Sequence, residues 1–399
     1  MKIGVDIRVL MDKHYSGVSK YTANLLSALY NQEKLLRKEQ LESNSYRLFY
    51  NSWHHIESRL QIWENDFSEI KHSAWPNKIF NYVLQKIFTI PKLDKFLDYP
   101  DIFWSPHFNF SSFSKNSQTK KVITVHDLSF LRYPEFFSWR KNFWHQALNI
   151  KKILLAADGI VAVSENTKDD IMELLNIEAQ KIKVIHSGIK LPADFDINES
   201  QTDFWQKHNL ESCQNRGIIL YVGTIEPRKN LVNLIKAYDL WRDSLTDKNS
   251  YLPLVLVGSR GWKTKKIFSI WKKSNYQKDI IFLGYVDDLE RELLYRKANL
   301  FVYPSCYEGF GFPPLEAMAR GVPVITSNVS SLPEVVADAA LMVNPGSVDE
   351  IAQAMQFIFN DNDLRLRLIE KGRKRAMLFS WEETAKKYLE FFKLINNKN

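Results

Sequence analysis

Cysteine is nearly absent from this chain: two residues among 399, Cys213 and Cys306. They lie far apart and match no metal-ligand spacing, which excludes a disulfide-stapled scaffold or a cysteine zinc site and reads as reduced thiols in a cytosolic protein. No apolar run approaches the ~20 residues that cross a bilayer. The opening MKIGVDIRVLM alternates charged and apolar residues as a first strand does, so no signal peptide is expected there. No GxGxxG follows that strand, which argues against a dinucleotide site. The chain also has no internal repeats and no low-complexity segment.

The rest of the composition is ordinary: 45% hydrophobic and 25% charged residues, as in soluble globular proteins. The length suits two domains. A net charge of +8 invites an anionic partner, either nucleic acid or a membrane surface.

Apolar strands alternate with amphipathic helices in two successive runs. In the first, residues 1–187, Ile3 to Ile7 reads as a strand and His14-Tyr15-Ser16-Gly17-Val18 as the loop after it. Ser19 to Tyr30 follows as a helix, with Tyr21, Leu25 and Leu29 at helical spacing. A glycine-bearing loop between first strand and first helix is the doubly wound pattern. Lys121 to Val125 is a strand that delivers His126 and Asp127 at its carboxyl end, where open α/β sheets carry their chemistry. A histidine there either donates to a developing oxyanion or a sugar hydroxyl, or packs against a neighbouring carbonyl. Residues 188–200 lose periodicity and read as a linker; their Asp194-Phe195-Asp196 follows no strand and reads as solvated charge, so no metal is expected.

The second run, residues 201–380, restarts with the strand Ile218 to Val222 and the turn GTIEPRKN, then a helix from Leu231 to Trp241. Arg228 and Lys229, adjacent at a strand-to-helix turn, suit a diphosphate: one offers a planar fork, the other a point charge. The loop Gly284 to Asp288 places Asp288 where a helix N-cap belongs, and Ser347 with Glu350 has the capping-box spacing. Residues 381–399 form a final amphipathic helix.

The densest signal is YPSCYEGFGFPPLEAMARGVPVIT, residues 303–326. It reads as a strand end, a loop with Gly309 and Gly311, a short helix opened by Pro313 and Pro314 and stopped near Gly321, and another strand. Loop amides and a helix N-terminus together hold phosphate. Glu308 and Glu316 flank the row, and carboxylates accept from sugar hydroxyls. A nucleotide sugar has that form, with hydroxyls on either side of a diphosphate. Equally, Glu316 could complement the helix dipole and Glu308 be solvated.

EGFGFPPLEAMARGVPV and GTIEPRKN resemble the signatures of the large retaining glycosyltransferase family four, and the resemblance spans essentially the whole chain. It implies an α/β chain with the GT-B fold, two Rossmann-like doubly wound domains facing each other across a cleft. The first would bind the acceptor and the second the nucleotide sugar, with the last helix crossing back to the first. By the resemblance Glu308 contacts the transferred hexose, Glu316 the ribose, and amides around Phe310, Gly311 and Leu315 the sugar and diphosphate. Arg228 and Lys229 stabilise the leaving group without a metal or other cofactor, Gly17 borders the diphosphate, and His126 lies close to the transferred sugar. One departure matters: many members place the arginine several positions earlier, where this chain has Gly223-Thr224.

The expected activity is retaining, metal-independent hexosyl transfer to a hydroxyl by front-face displacement. The rivals are a nucleotide-sugar epimerase and an inactive nucleotide-sugar-binding protein. Nucleic acid is not expected as a partner, because no recognised module accompanies the charge. HDLSFLRYPEFF (126–137) resembles bacterial mannosyltransferases of surface polysaccharide synthesis, which points to GDP-mannose. From Lys71 to Lys95 five lysines face one acid, Asp94, among Trp75, Phe80, Tyr82, Ile87 and Phe88. Ser138 to Lys152 carries Arg140, Lys141, Lys151 and Lys152 with Trp139, Phe143 and Trp144 and no acid. Such alternation suits an anionic membrane surface, a lipid-linked glycan acceptor and a cytoplasmic-face location; it suits equally aromatics in a core under an ordinary solvated face.

Overall fold

The computed structural model describes residues 1–11, 16–53, 60–76, 80, 87–139, 148–192, 200–208, 210, 213, 216–247 and 249–397. These fall into two units. The first comprises Met1–Leu128, Arg140–Gly188 and Ser380–Asn399; the second comprises Ser129–Trp139 and Ile189–Phe379. Thus the short stretch after His126 and Asp127 belongs with the second unit. Trp262 Nε1 donates to the Phe136 carbonyl at 2.6 Å, and its ring stacks on Phe137 with centroids 5.7 Å apart.

In the first unit seven parallel strands run in the order β3-β2-β1-β4-β5-β6-β7. They are β1 (Lys2–Asp6), β2 (Ser45–Asn51), β3 (Ser68–Ser73), β4 (Ile102–Ser105), β5 (Lys120–Val125), β6 (Gly159–Ala162) and β7 (Ile182–Val184). The central strands are apolar throughout rather than alternating, because helices cover both faces of a parallel sheet. Ile3, Val5, Ile102, Trp104, Val122 and Val125 are completely buried. Helix α1 (Gly17–Lys38) starts two residues before the sequence suggests and runs eight beyond Tyr30. Ser16 caps it by accepting from the Ser19 amide, and its far half is held by buried Glu33, which accepts from Asn44 and Tyr46.

The second unit has six parallel strands in the order β10-β9-β8-β11-β12-β13. These are β8 (Ile218–Val222), β9 (Leu254–Val257), β10 (Ile280–Gly284), β11 (Ala298–Tyr303), β12 (Val324–Ser327) and β13 (Leu341–Val343). Helix α2 (Leu231–Ser244) follows β8 and helix α3 (Phe312–Ala319) follows β11. The helix after β10 is capped by Asp287, with Glu290 completing a capping box, so Asp288 lies in the first turn rather than at the cap. Ser347 accepts from the Glu350 amide as its spacing suggests, but Glu350 returns to the Asn344 amide instead of Ser347.

The last helix, α4 (Trp381–Asn396), returns the chain to the first unit. Tyr388 carries a buried polar link: the hydroxyl lies 2.7 Å from both Tyr21 on α1 and Thr124 on β5, and Trp104 on β4 donates to Thr124. Gly159 makes the close approach feasible, since a Cβ there would stand 2.8 Å from the Phe391 ring. Both sheets therefore have the doubly wound topology, with strand order reversing between β1 and β4 and between β8 and β11. Ligands bind at the carboxyl ends of strands on either side of such a reversal.

Candidate active site

At the reversal in the second unit, the turn after β8 is fastened to the loop after β11. Pro227 opens one turn of 3₁₀ helix, and Asn230 ends it in the left-handed region with φ of 59°. Asn230 tolerates that conformation, and its side chain donates to the carbonyls of Pro304 at 3.1 Å and Pro345 at 2.7 Å. The Cys306 amide donates to the Arg228 carbonyl at 2.9 Å. This lacing brings Arg228, Lys229 and Glu308 together. Lys229 Nζ lies 2.5 Å from Glu308 Oε1, and Arg228 lies 3.2 Å from Oε2. The hydroxyls of Tyr303 (3.0 Å) and Ser305 (2.6 Å) also meet Oε1. Arg228 reaches Glu226 at 3.1 Å as well and donates to the Tyr307 carbonyl.

The backbone of Glu308 is held as firmly. Its amide donates to Ser330 Oγ at 2.8 Å, and its carbonyl accepts from Ser330 and Ser331, both at 3.0 Å. Ser331 also lies 2.8 Å from the Phe310 carbonyl. Phe310 buries its ring against Phe312 and Phe379, so only its backbone is left to serve a ligand. Gly311 caps α3 with φ of +113°, and a Cβ there would meet Leu332 at 2.8 Å. Glycine is the residue that fits. Pro313 and Pro314 occupy the first turn of α3, so two N–H groups are missing there. Leu315 is wholly buried. Glu316, half-buried on α3, accepts from the Tyr295 hydroxyl at 3.0 Å and lies 3.9 Å from Arg291.

In the first unit His126 follows β5. Its Nε2 lies 2.8 Å from the Pro106 carbonyl, and a carbonyl only accepts, so Nε2 carries the proton. Burial and the neighbouring His107 pull its pKa down to about 4 against the opposing pull of Pro106 and Asp127. The ring is therefore neutral at physiological pH and its Nδ1 is an acceptor; of the two readings open from sequence, the contact with a neighbouring carbonyl is the one the structure shows for Nε2. Tyr21 meets the ring edge-on at 4.7 Å. Gly17 opens α1, where a Cβ would touch nothing within 4 Å. Among the described residues no group of three or more His, Cys, Asp or Glu is placed to hold a metal ion.

Residues 203–375 match the family model described as glycosyl transferases group 1, and residues 58–191 match glycosyltransferase family 4. An Escherichia coli protein named O-antigen chain mannosyltransferase B is 34% identical over 307 residues, 75% of this chain and 76% of the relative. The chain belongs to this glycosyltransferase family. Its GT-B fold is shared with sucrose-phosphate synthase from Thermosynechococcus elongatus (TM-score 0.72, 20% identity, 99% of this chain and 98% of that one). It is shared too with Anabaena HepE in complex with UDP and glucose (TM-score 0.69, 17% identity, 99% and 100% covered).

The glycosyltransferase's Glu308 cluster balances two cations, Arg228 and Lys229, with two buried carboxylates, Glu226 and Glu308. Sequence reading passed over Glu226, Tyr303, Ser305, Asn230 and the Ser330-Ser331 pair. The signal for Glu226 lay inside the quoted turn, as an acid beside two bases. Of the basic and aromatic stretches, Tyr82, Lys78, Lys86, Arg140, Lys141, Phe143 and Trp144 lie outside the described residues, as do His14, Tyr15 and Asp194-Phe195-Asp196. Phe80 is core, packed with Phe49, Leu93, Leu97 and Phe103. Trp75, Ile87 and Phe88 are exposed, and Trp139, also exposed, belongs to the second unit.

Burial alone would raise the Glu308 pKa, but the charges of Arg228 and Lys229 with the Lys229 and Ser305 hydrogen bonds hold it down at about 2. A depressed carboxyl stabilises the fold fully above its unfolded value of 4.5 and progressively less as pH falls toward 2. Glu308→Gln removes that ionisation and leaves Lys229 unpaired. It is expected to cost about 3 kcal/mol at neutral pH, the magnitude for breaking a buried pair. The gap from wild type should close between pH 4.5 and 2, as urea melts across that range would read. A constant gap would mean that Glu308 is not ionised in the native protein.

Proposed function

We propose that this glycosyltransferase moves mannose from GDP-mannose to a hydroxyl of a lipid-linked glycan, with retention of configuration and without a metal ion. Its place would be the inner face of the cytoplasmic membrane. The observation that carries the chemistry is the Arg228–Lys229 pair, anchored at the strand reversal where a diphosphate would lie. The choice of mannose rests on the 34% identical relative, named as an O-antigen chain mannosyltransferase.

A guanidinium and an ammonium fixed beside the leaving diphosphate do the work of a divalent cation. Glu226 and Glu308 hold both side chains in place, so little reorganisation is needed as charge develops. Glu308 accepts from Lys229, Tyr303, Ser305 and Arg228, which makes it a poor nucleophile. This supports front-face displacement. The acceptor oxygen bonds to the anomeric carbon on the side the phosphate leaves, and a phosphate oxygen takes the acceptor's proton. Neutral His126, with Nδ1 as acceptor, would take a hydrogen bond from a sugar hydroxyl, and Glu316 would accept from the ribose. Amides of the loop at Phe310 and Gly311 would meet the phosphates.

Four outcomes are expected. Activity survives EDTA, and Lys229→Ala lowers turnover about a hundredfold, or ~3 kcal/mol; loss restored by Mg²⁺ would refute the clamp. Calorimetry with GDP alone should show Glu316→Ala weakening affinity about tenfold, the loss of one charge-assisted hydrogen bond or more, and unchanged affinity would remove Glu316 from the ribose. The membrane reading draws on exposed Trp75, Ile87 and Phe88 beside a basic run. Co-sedimentation with anionic vesicles should occur at low salt and fade at high salt, and no binding at low salt would favour a soluble acceptor.

A further inference from the structure

At the opposite end of the first sheet from His126 lies a cavity of about 850 Å³. It opens where β4 and β5 begin, whereas His126 follows the carboxyl end of β5, so the length of that strand, ~20 Å, separates them. Its wall includes Tyr99, Asn116, Ser117, Gln118, Thr119 and Asn396, the last brought by α4.

Tyr99 stands out. The residue is 63% exposed, so burial does not explain it. Its backbone has φ of +53°, next to Asp98 at +57°, in the left-handed region where glycine or asparagine is comfortable and an aromatic residue is not. Stability would favour another residue at 99, and such outliers concentrate where they serve a ligand.

The charge around the ring is balanced, Asp94 and Asp101 against Lys95 and Lys120. A phosphate would call for a surplus of cations and a metal ion for a surplus of acids; the balance favours a neutral ligand. The wall is otherwise amides and hydroxyls, which pair with hydroxyl groups in either sense. Asp94 is wholly buried beneath this wall, and its Oδ1 accepts from the Ser114 amide at 3.0 Å. An exposed aromatic face amid hydroxyls, amides and a carboxylate has the chemistry of a sugar platform: ring C–H groups lie on the aromatic face and hydroxyls reach the polar rim.

We propose that this cavity is a second glycan site, which holds a neutral hexose oligosaccharide on Tyr99 away from the place of transfer. It would retain a distant stretch of a long acceptor and so raise the effective concentration of its end at the transfer site. Binding needs neither donor nor turnover, so failure of the GDP-mannose reading would show in nucleotide calorimetry and leave this binding untouched.

Saturation-transfer NMR on the full chain, with linear mannotetraose as the probe, tests it in wild type, Tyr99→Gly and Asn116→Ala. Tyr99→Gly suits the left-handed backbone, so its Tm should equal or exceed that of wild type. Both variants should bind the probe about tenfold more weakly, the order expected for a lost stacking platform or rim contact. Transfer to a monosaccharide acceptor should stay at the wild-type rate while KM for long acceptors rises. Asn116 is exposed on its loop, so Asn116→Ala reads the site even where Tyr99→Gly lowers Tm. Equal affinity in all three proteins, or no binding by wild type, would overturn the proposal.

Discussion

The two loops at the strand reversal of the second unit depend on one shared carboxylate. Glu308 joins two loops that are 80 residues apart in sequence, and it does so by satisfying Lys229 and Arg228 at once. A lysine that is 7% exposed would be intolerable without a partner, and a carboxylate as buried would be equally so. Together, with Tyr303 and Ser305 completing the acceptor sites of Oε1, they form a cluster of no net charge once Glu226 is counted. The arrangement fixes where two cations stand without requiring them to be solvated. Positive groups held rigidly in a dry place act strongly on a departing phosphate.

The same logic of fastening recurs in the first unit, with hydroxyls in place of charges. Tyr388, on the returning helix α4, joins Tyr21 on α1 to Thr124 on β5, and Trp104 on β4 completes the chain. Burial raises the pKa of Tyr21 far above its ordinary value, with Tyr388 adding to the effect, so the network stays neutral and acts through hydrogen bonds alone. His126 lies two residues beyond Thr124, and Tyr21 packs against its edge. The last helix therefore sets the position of the imidazole through two intermediaries, although it is more than 250 residues away in the chain.

The tyrosine at 99 illustrates a different kind of departure. Most of the chain agrees with itself at every level: apolar runs form buried strands, serines and aspartates cap helices, and glycine occupies the position at 311 that demands it. Tyr99 breaks that agreement, exposed and in a backbone conformation it does not favour. Gln40, Thr89, Asp98 and Lys263 share its left-handed backbone, and among these Tyr99 is the aromatic one.

By itself the sequence determined the class of fold, the order of the elements and the location of the motif loops. Unbroken apolar runs such as Ile218 to Val222 and Val322 to Thr326 signal strands covered on both faces, and that signal is local. The residue types of the cluster were legible for the same reason: Arg228, Lys229, Glu308 and Glu316 lie at strand ends, where α/β chemistry sits. The partners were not. The counter-ions of Glu308, Lys229 and Arg228, were not legible from its own segment, because a charge finds its partner across space. His126 stays open between two readings until the Pro106 carbonyl, brought alongside by β4, takes its proton-bearing nitrogen. Tertiary structure also decided that Phe80 is core while Phe88 is surface, since alternation of basic and aromatic residues cannot tell a covered ring from an exposed one. Local pattern specifies what each segment becomes; the packing of segments 20 to 80 residues apart decides what His126 and Glu308 meet.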